Sequence, residues 1–137
     1  MTPFASALRQ AIAEILAENS LESFPNPGVY TESRAWDALE RHYELILRWN
    51  EKLNLTRVTE VHAAARKHYV ESIVLASMLD PGPACVVDLG SGAGFPGIPV
   101  GLVDPEKRVV LLEADVRKSV FLKEATREHA NFSVVTK

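Results

Sequence analysis

The sequence holds one cysteine and two tryptophans among 137 residues, and aromatic side chains make up only 7% of it. A lone Cys85 cannot close an internal disulfide. This excludes a disulfide-stapled scaffold and leads to the expectation of a reducing, cytoplasmic setting, with Cys85 a small buried hydrophobe in the run ACVVDL. No apolar run approaches the roughly 18 residues of a membrane span, and the first residues show no charged stretch leading into an apolar one. Neither a membrane nor a metal is therefore expected as a partner. Internal repeats and low-complexity tracts are missing as well. So is any excess of positive charge: 15 Lys and Arg stand against 18 Asp and Glu, for a net charge of -3. Any nucleic-acid contact must then come from a local basic patch. What remains is ordinary globular composition, 47% apolar and 24% charged, enough to bury one core.

Residues 1–80 read as a helical region. Pro3 after Thr2 suits a first helical turn, and Phe4, Leu8, Ile12 and Ile15 follow at helical spacing. Phe24-Pro25-Asn26-Pro27-Gly28 breaks that helix. A second helix carries Trp36, Leu39, Tyr43, Ile46, Leu47 and Trp49 on one stripe. A third is expected from a Thr59 cap to Leu79, with Val61, Ala65, His68, Ser72, Leu75 and Leu79 aligned. Asp80-Pro81-Gly82-Pro83 closes this region.

From Ala84 the hydrophobic period changes. ACVVDL reads as a buried parallel strand, Pro96 to Val103 as a short helix and Arg108 to Glu113 as a second strand. Residues 115–130 read as a helix with Val116, Val120, Phe121 and Ala125 inward, and Phe132 opens a third strand. The pattern βαβαβ over residues 84–137 is the first half of a doubly wound α/β sheet.

Between the first strand and its helix stands Asp88-Leu89-Gly90-Ser91-Gly92-Ala93-Gly94-Phe95-Pro96-Gly97. A glycine-rich turn at this place lets a ligand lie on the backbone, next to the N–H groups that open the helix. Glu113 ends the second strand about 20 residues on, where a carboxylate can accept hydrogen bonds from both ribose hydroxyls. The spacing also matches the dinucleotide fingerprint GxGxxG, so an NAD-binding, dehydrogenase-like domain stays open, as does a non-catalytic nucleotide-binding or assembly module. Asp88 would face a pyrophosphate unfavourably, whereas S-adenosylmethionine carries an ammonium and a sulfonium that suit a carboxylate. The plainer alternative is that Asp88 caps the turn and the glycines serve close packing.

DLGSGAGFPGIP at 88–99, WNEKLNLT at 49–56 and KHYVES at 67–72 together resemble the small-subunit ribosomal RNA methyltransferase G family, also called GidB. The resemblance implies a Rossmann-like class I methyltransferase fold with an N-terminal helical subdomain. It also implies S-adenosylmethionine as cofactor and N7-methylation of a guanosine in 16S ribosomal RNA of the small subunit. Gly90 and Phe95 would line the cofactor pocket, with Asp88, Ser91, Gly92 and Gly94 shaping it and Glu113 holding the ribose. Glu71 stands where the family often shows Asp. Only about three of the seven strands of such a sheet are encoded. An incomplete sheet is thus expected, inactive alone and open to self-association through its unpaired edge.

Attack by guanine N7 needs no general base, because N7 carries a lone pair and no proton, so no catalytic residue is named. His68 falls on the apolar stripe of its helix and is expected to be packed and hydrogen-bonded. Asn54-Leu55-Thr56 would either touch RNA and the glycine loop or satisfy backbone groups at a helix exit. Cations for RNA are sought at Arg57, Arg66 and Lys67, and at Arg117 and Lys118 with Lys123 and Arg127 behind them, where Glu124 and Glu128 favour a plain solvated face. Trp36 and Trp49 are expected in the core.

Overall fold

The computed structural model describes residues 1–22 and 33–137; the predicted break at Phe24–Gly28 lies outside them. Helix α1 (Pro3–Glu18) starts as expected, with the Thr2 hydroxyl accepting from the Ala5 N–H at 3.1 Å. Helix α2 (Ser33–Asn50) buries Ala35, Ala38, Leu39, His42, Leu45 and Ile46, an i, i+3, i+4, i+7 face. Trp36, Tyr43 and Trp49 pack beside that face, whereas Leu47 points to solvent.

The third helical run opens at α3 (Val61–Ala64), widens into a π-helical turn (Ala65–Val70) and continues as α4 (Glu71–Met78). Its cap is Glu60 rather than Thr59. The Glu60 carboxylate accepts from the His62 and Ala63 N–H groups at 3.0 and 2.8 Å, while the Thr59 carbonyl takes the Tyr43 hydroxyl. The wide turn holds one residue more than an α turn, so burial runs Ala64 and Ala65, then Tyr69 and Val70, then Ile73 and Ala76. A strict α period misses this shift. Leu75, predicted inward, is exposed for that reason, and His68 is only half-buried.

Strands β1 (Ala84–Leu89), β2 (Lys107–Glu113) and β3 (Phe132–Thr136) form a parallel sheet in the order β1-β2-β3, with Val86 opposite Val109 and Leu111 opposite Val134. Helix α5 (Gly97–Val103) links β1 to β2, and α6 (Val116–Thr126) links β2 to β3. Both crossovers step in the same direction and lay their helices on one face of the sheet, as right-handed connections require. That face carries Asp88, Val109 and Leu111 against Ile98, Phe121 and Leu122. On the other face Val87 is 55% and Leu89 73% exposed.

Two expectations fail because nothing among the described residues covers this second face, and a third fails on α6, which lies on the covered one. ACVVDL pairs on one edge only and is largely exposed, and Cys85 is exposed with it. In α6 the inward residues are Ser119, Phe121, Leu122 and Thr126 with Ala125 beside them, while Val116 and Val120 face solvent. The helix also ends sooner than predicted, at Thr126.

The predicted boundary near residue 80 separates elements but not cores. Val100 and Val103 of α5 are buried among Phe4, Leu8, Leu39, Tyr69 and Ile73 of the helical region. Phe95 and Leu102 pack against both this cluster and the one above the sheet. At the far end of the strands, buried Lys107 pairs with Asp104 at 2.9 Å and donates to the Gly82 carbonyl, so its charge is matched where it is desolvated.

Candidate functional site

The loop from Asp88 to Gly97 sits at the carboxyl ends of β1 and β2. Gly90, Gly92 and Gly94 have φ of 69°, 55° and 97°, a left-handed conformation that side chains disfavour. Their surroundings differ. A Cβ on Gly90 would meet nothing within 4 Å, and one on Gly92 only the Gly90 carbonyl at 4.0 Å. A Cβ on Gly94 would run into Ile98, and one on Gly97 would stand 2.5 Å from Leu111 and 2.7 Å from Asp88 Oδ2. The first pair leaves backbone open to a ligand, and the second pair lets α5 dock on the sheet.

Glu113 organises the open half. Its Oε1 accepts from the Gly92 N–H and its Oε2 from the Asp115 N–H, each at 2.8 Å, and the residue is 8% exposed. The Gly90 and Ser91 N–H groups donate to the Leu112 carbonyl at 2.8 and 3.2 Å. Asp88 organises the packed half: its Oδ2 accepts from the Gly97 N–H at 3.1 Å, at the start of α5, and its carbonyl accepts from the Ser91 hydroxyl at 3.0 Å. Burial pushes the Asp88 carboxyl above the usual carboxylate range, the bond from the Gly97 N–H and the neighbouring Ser91 hydroxyl pull it down, and the nearby Glu113 carboxylate pushes it up. The capping role weighed for Asp88 is therefore present. Together the two acids place paired negative charge beneath an open backbone.

A residue that sequence reasoning passed over ties this loop to the helical region. His42 of α2 donates from Nε2 to the Ala93 carbonyl at 2.8 Å, and its Nδ1 accepts the Tyr69 hydroxyl at 3.0 Å. Burial lowers its pKa to about 4, so the ring stays neutral and can serve as donor and acceptor at once. The signal was available: His42 falls one turn after Leu39 on the buried stripe, where a polar group requires partners. Tyr69 is fully buried and its phenol is pushed well up for the same reason.

Phe95 is held chiefly by rings of the helical region. His68 stacks on it at 4.5 Å and 15°, Tyr69 meets it edge-on at 5.0 Å, and His42 lies tilted at 5.2 Å. His68 is packed as expected, its Nε2 sharing a hydrogen bond with Thr56 Oγ1 at 3.2 Å; burial lowers its pKa. In the 54–56 stretch backbone satisfaction is present, the Thr56 Oγ1 accepting the Val58 N–H at 3.1 Å. Asn50 clamps the Leu55 and Thr56 backbone, while Asn54 is exposed and borders a depression with Leu55, Thr56 and Arg57.

The expected RNA cations divide. Arg66 is committed to α1, pairing with Glu14 at 2.9 Å and Glu18 at 2.5 Å, so it is no free cation. These pairs stand in solvent, which screens them, so they add little to stability. Arg57 and Lys67 are exposed. Arg117 donates to the Lys52 carbonyl at 3.0 Å, and Lys118 is half-buried, its N–H capped by Asp115 at 3.0 Å. Trp49 packs edge-on against Phe121 and donates to Glu124 at 2.7 Å.

Residues 35–136 match the family model described as rRNA small subunit methyltransferase G, GidB. The chain is 42% identical over 96 residues to the ribosomal RNA small subunit methyltransferase G of Caldanaerobacter subterraneus subsp. tengcongensis, an alignment covering 69% of this chain and 40% of that protein. It is 37% identical over 91 residues to the protein of the same name from Lactococcus lactis subsp. lactis, covering 65% and 38%. Against that of Geobacillus kaustophilus it is 37% identical over 102 residues, covering 74% and 43%. The chain spans about two fifths of the length of the curated relatives it matches.

Proposed function

The chain belongs to the rRNA small subunit methyltransferase G family, and from that premise we propose that it holds S-adenosylmethionine for N7-methylation of a guanosine in 16S ribosomal RNA. The observation that carries this reading is the pairing of Glu113 with the Gly92 N–H beneath a backbone left open at Gly90 and Gly92. The donor fits by chemistry: two buried carboxylates near enough to influence one another suit a cationic ligand better than a pyrophosphate. When bound, it supplies an electrophilic methyl group on a sulfonium.

In this reading Asp88, Gly90, Ser91, Gly92 and Glu113 hold the donor, and Glu113 has lone pairs left for ribose hydroxyls. Gly94, Phe95 and His42 act as positioning residues, fixing the loop from below. No side chain has to remove a proton, because guanine N7 has none. The protein's task is alignment of nucleophile, methyl carbon and sulfur while water is kept out. The setting that follows is the cytoplasm, with the small ribosomal subunit as partner. A second copy of the chain is a further expected partner, through the outer edge of β1, and sedimentation at several concentrations tests that.

Calorimetric titration with S-adenosylmethionine, and with NAD as the rival, tests the reading. Heat from the first and none from the second is expected, followed by radiolabelled methyl transfer to 16S ribosomal RNA in a longer chain of the family. Binding of NAD alone, or of neither ligand, overturns it.

A further inference from the structure

Three depressions run end to end along α2. The first lies between Arg34 and Arg41 on one side and the end of α5 with His129 and Asn131 on the other. The second is bordered by Arg41, Arg48, Arg127 and His129. The third reaches Lys52 and Arg117 over a floor of Leu45, Leu53 and Trp49. Arg41 belongs to the first two and Arg48 to the last two, which makes them one groove.

Arg34, Arg41 and Arg48 recur every seven residues, close to two helical turns, and so stand in a row on one side of α2. From Arg34 to Lys52 the groove is about 27 Å long at 1.5 Å per residue. Arg34, Arg41, Arg48, Lys52, Arg117 and Arg127 are all exposed and face three carboxylates, Asp37, Glu124 and Glu128. Glu124 is already engaged with the Trp49 indole N–H. None of these cations has an ion pair within 4 Å among the described residues, in contrast to Arg66. A chain of net charge -3 has thus gathered a positive strip in one concave place.

We infer that this groove is a track for the sugar–phosphate backbone of a single RNA strand. The inference rests on the reading of the chain as an RNA methyltransferase and names the surface that such a chain would use. A row of guanidinium groups at a fixed repeat suits a polymer of regularly placed anions, and each guanidinium can take a phosphate with two parallel hydrogen bonds. The groove also leads somewhere. Arg117 is in the first turn of α6, directly after Glu113 and Asp115, so a strand lying along α2 ends beside the open half of the glycine loop.

The test is fluorescence anisotropy of a labelled single-stranded RNA of about 20 nucleotides at several salt concentrations. The proteins compared are wild type, Arg48→Gln, the double variant Arg41→Gln with Arg48→Gln, and Arg108→Gln, which removes an exposed cation on β2 outside the groove. Each lost phosphate contact lowers the slope of log K against log[salt] by about 0.7. The double variant should bind roughly tenfold more weakly at low salt, with a slope shallower by about 1.4; the single variant should show half that change in slope and Arg108→Gln neither effect. S-adenosylmethionine affinity, read by calorimetry on the same proteins, should stay as in wild type. Unchanged RNA affinity and slope in the double variant overturn the track. Equal competition by polyglutamate overturns it in favour of an acidic protein partner. Loss of donor binding already in wild type counts instead against the methyltransferase reading, whatever the RNA data show.

Discussion

Gly90 and Gly92 look out on open space, whereas Gly94 and Gly97 are pressed against side chains, although all four belong to one loop. The first pair leaves the backbone bare of protein neighbours. The second frees it for the protein itself, letting α5 seat against Leu111 and Asp88 and letting the loop lie against His42 and Ile98. A glycine motif is therefore not one signal, and substitution should separate its halves by what is lost, fold or ligand.

The largest effect belongs to the packed half. Gly97→Val should destabilise the fold by about 3 kcal/mol, because its Cβ would stand within 3.1 Å of buried Leu111 and Asp88 side-chain atoms and the added methyls would crowd them further. A fall in the melting midpoint on the order of 10 °C checks it. In the open half, Gly92→Val should abolish measurable S-adenosylmethionine binding, raising Kd at least a hundredfold. Its fold should stay intact by circular dichroism at a strain cost of about 1–2 kcal/mol for a branched residue at positive φ. If both variants lose fold and ligand alike, the two halves are not separable. Next comes Glu113→Gln, which sets an amide N–H against the N–H of Gly92 or Asp115 and should weaken donor binding by about 2 kcal/mol. Calorimetric affinity equal to wild type would remove Glu113 from the site.

The smallest effect concerns the tie between the halves. The His42 pKa, lowered from an ordinary 6.5 to about 4, means that the folded state favours the neutral ring. Its contribution is complete above pH 6.5 and is lost as pH falls toward 4, because only the unfolded chain takes up the proton easily in that window. By pH 5.5 the part lost is about 1.4 kcal/mol. Melting midpoints of wild type and His42→Phe between pH 7.5 and 5.5 should show a larger decline in wild type.

Much of this was legible because the hydrophobic period itself changes. Helical spacing up to Leu79 and β-branched runs from Cys85 predict the βαβαβ order, and the glycines with Glu113 about 20 residues on locate the loop and its anchor. What escaped depends on facts that a single period does not carry. Inward and outward residues in β1 depend on which face of the sheet is covered, and Cys85 and Val87 are apolar on the uncovered one; in α6, Val116 and Val120 are apolar on the side turned away from the sheet. Arg66 resembled a free cation until α1 brought Glu14 and Glu18 alongside. The arginine row of α2 was in plain view, yet only the packing of α2 beside α5 and α6 turns it into a groove.

The π-helical turn at Ala65–Val70 reads as an α-helix with one residue inserted. Removing the exposed Lys67 should let the turn close into a regular helix while Ile73 and Ala76 keep their buried faces, so a deletion there should disturb the later part of this helix less than one elsewhere along its length. The loss would fall on the wide turn itself. A wider turn sets neighbouring side chains at a smaller angle, and the adjacent His68 and Tyr69 both reach the ring of Phe95, at 4.5 and 5.0 Å. A homologue shorter by one residue at this point should keep its core and hold the glycine loop with one ring fewer.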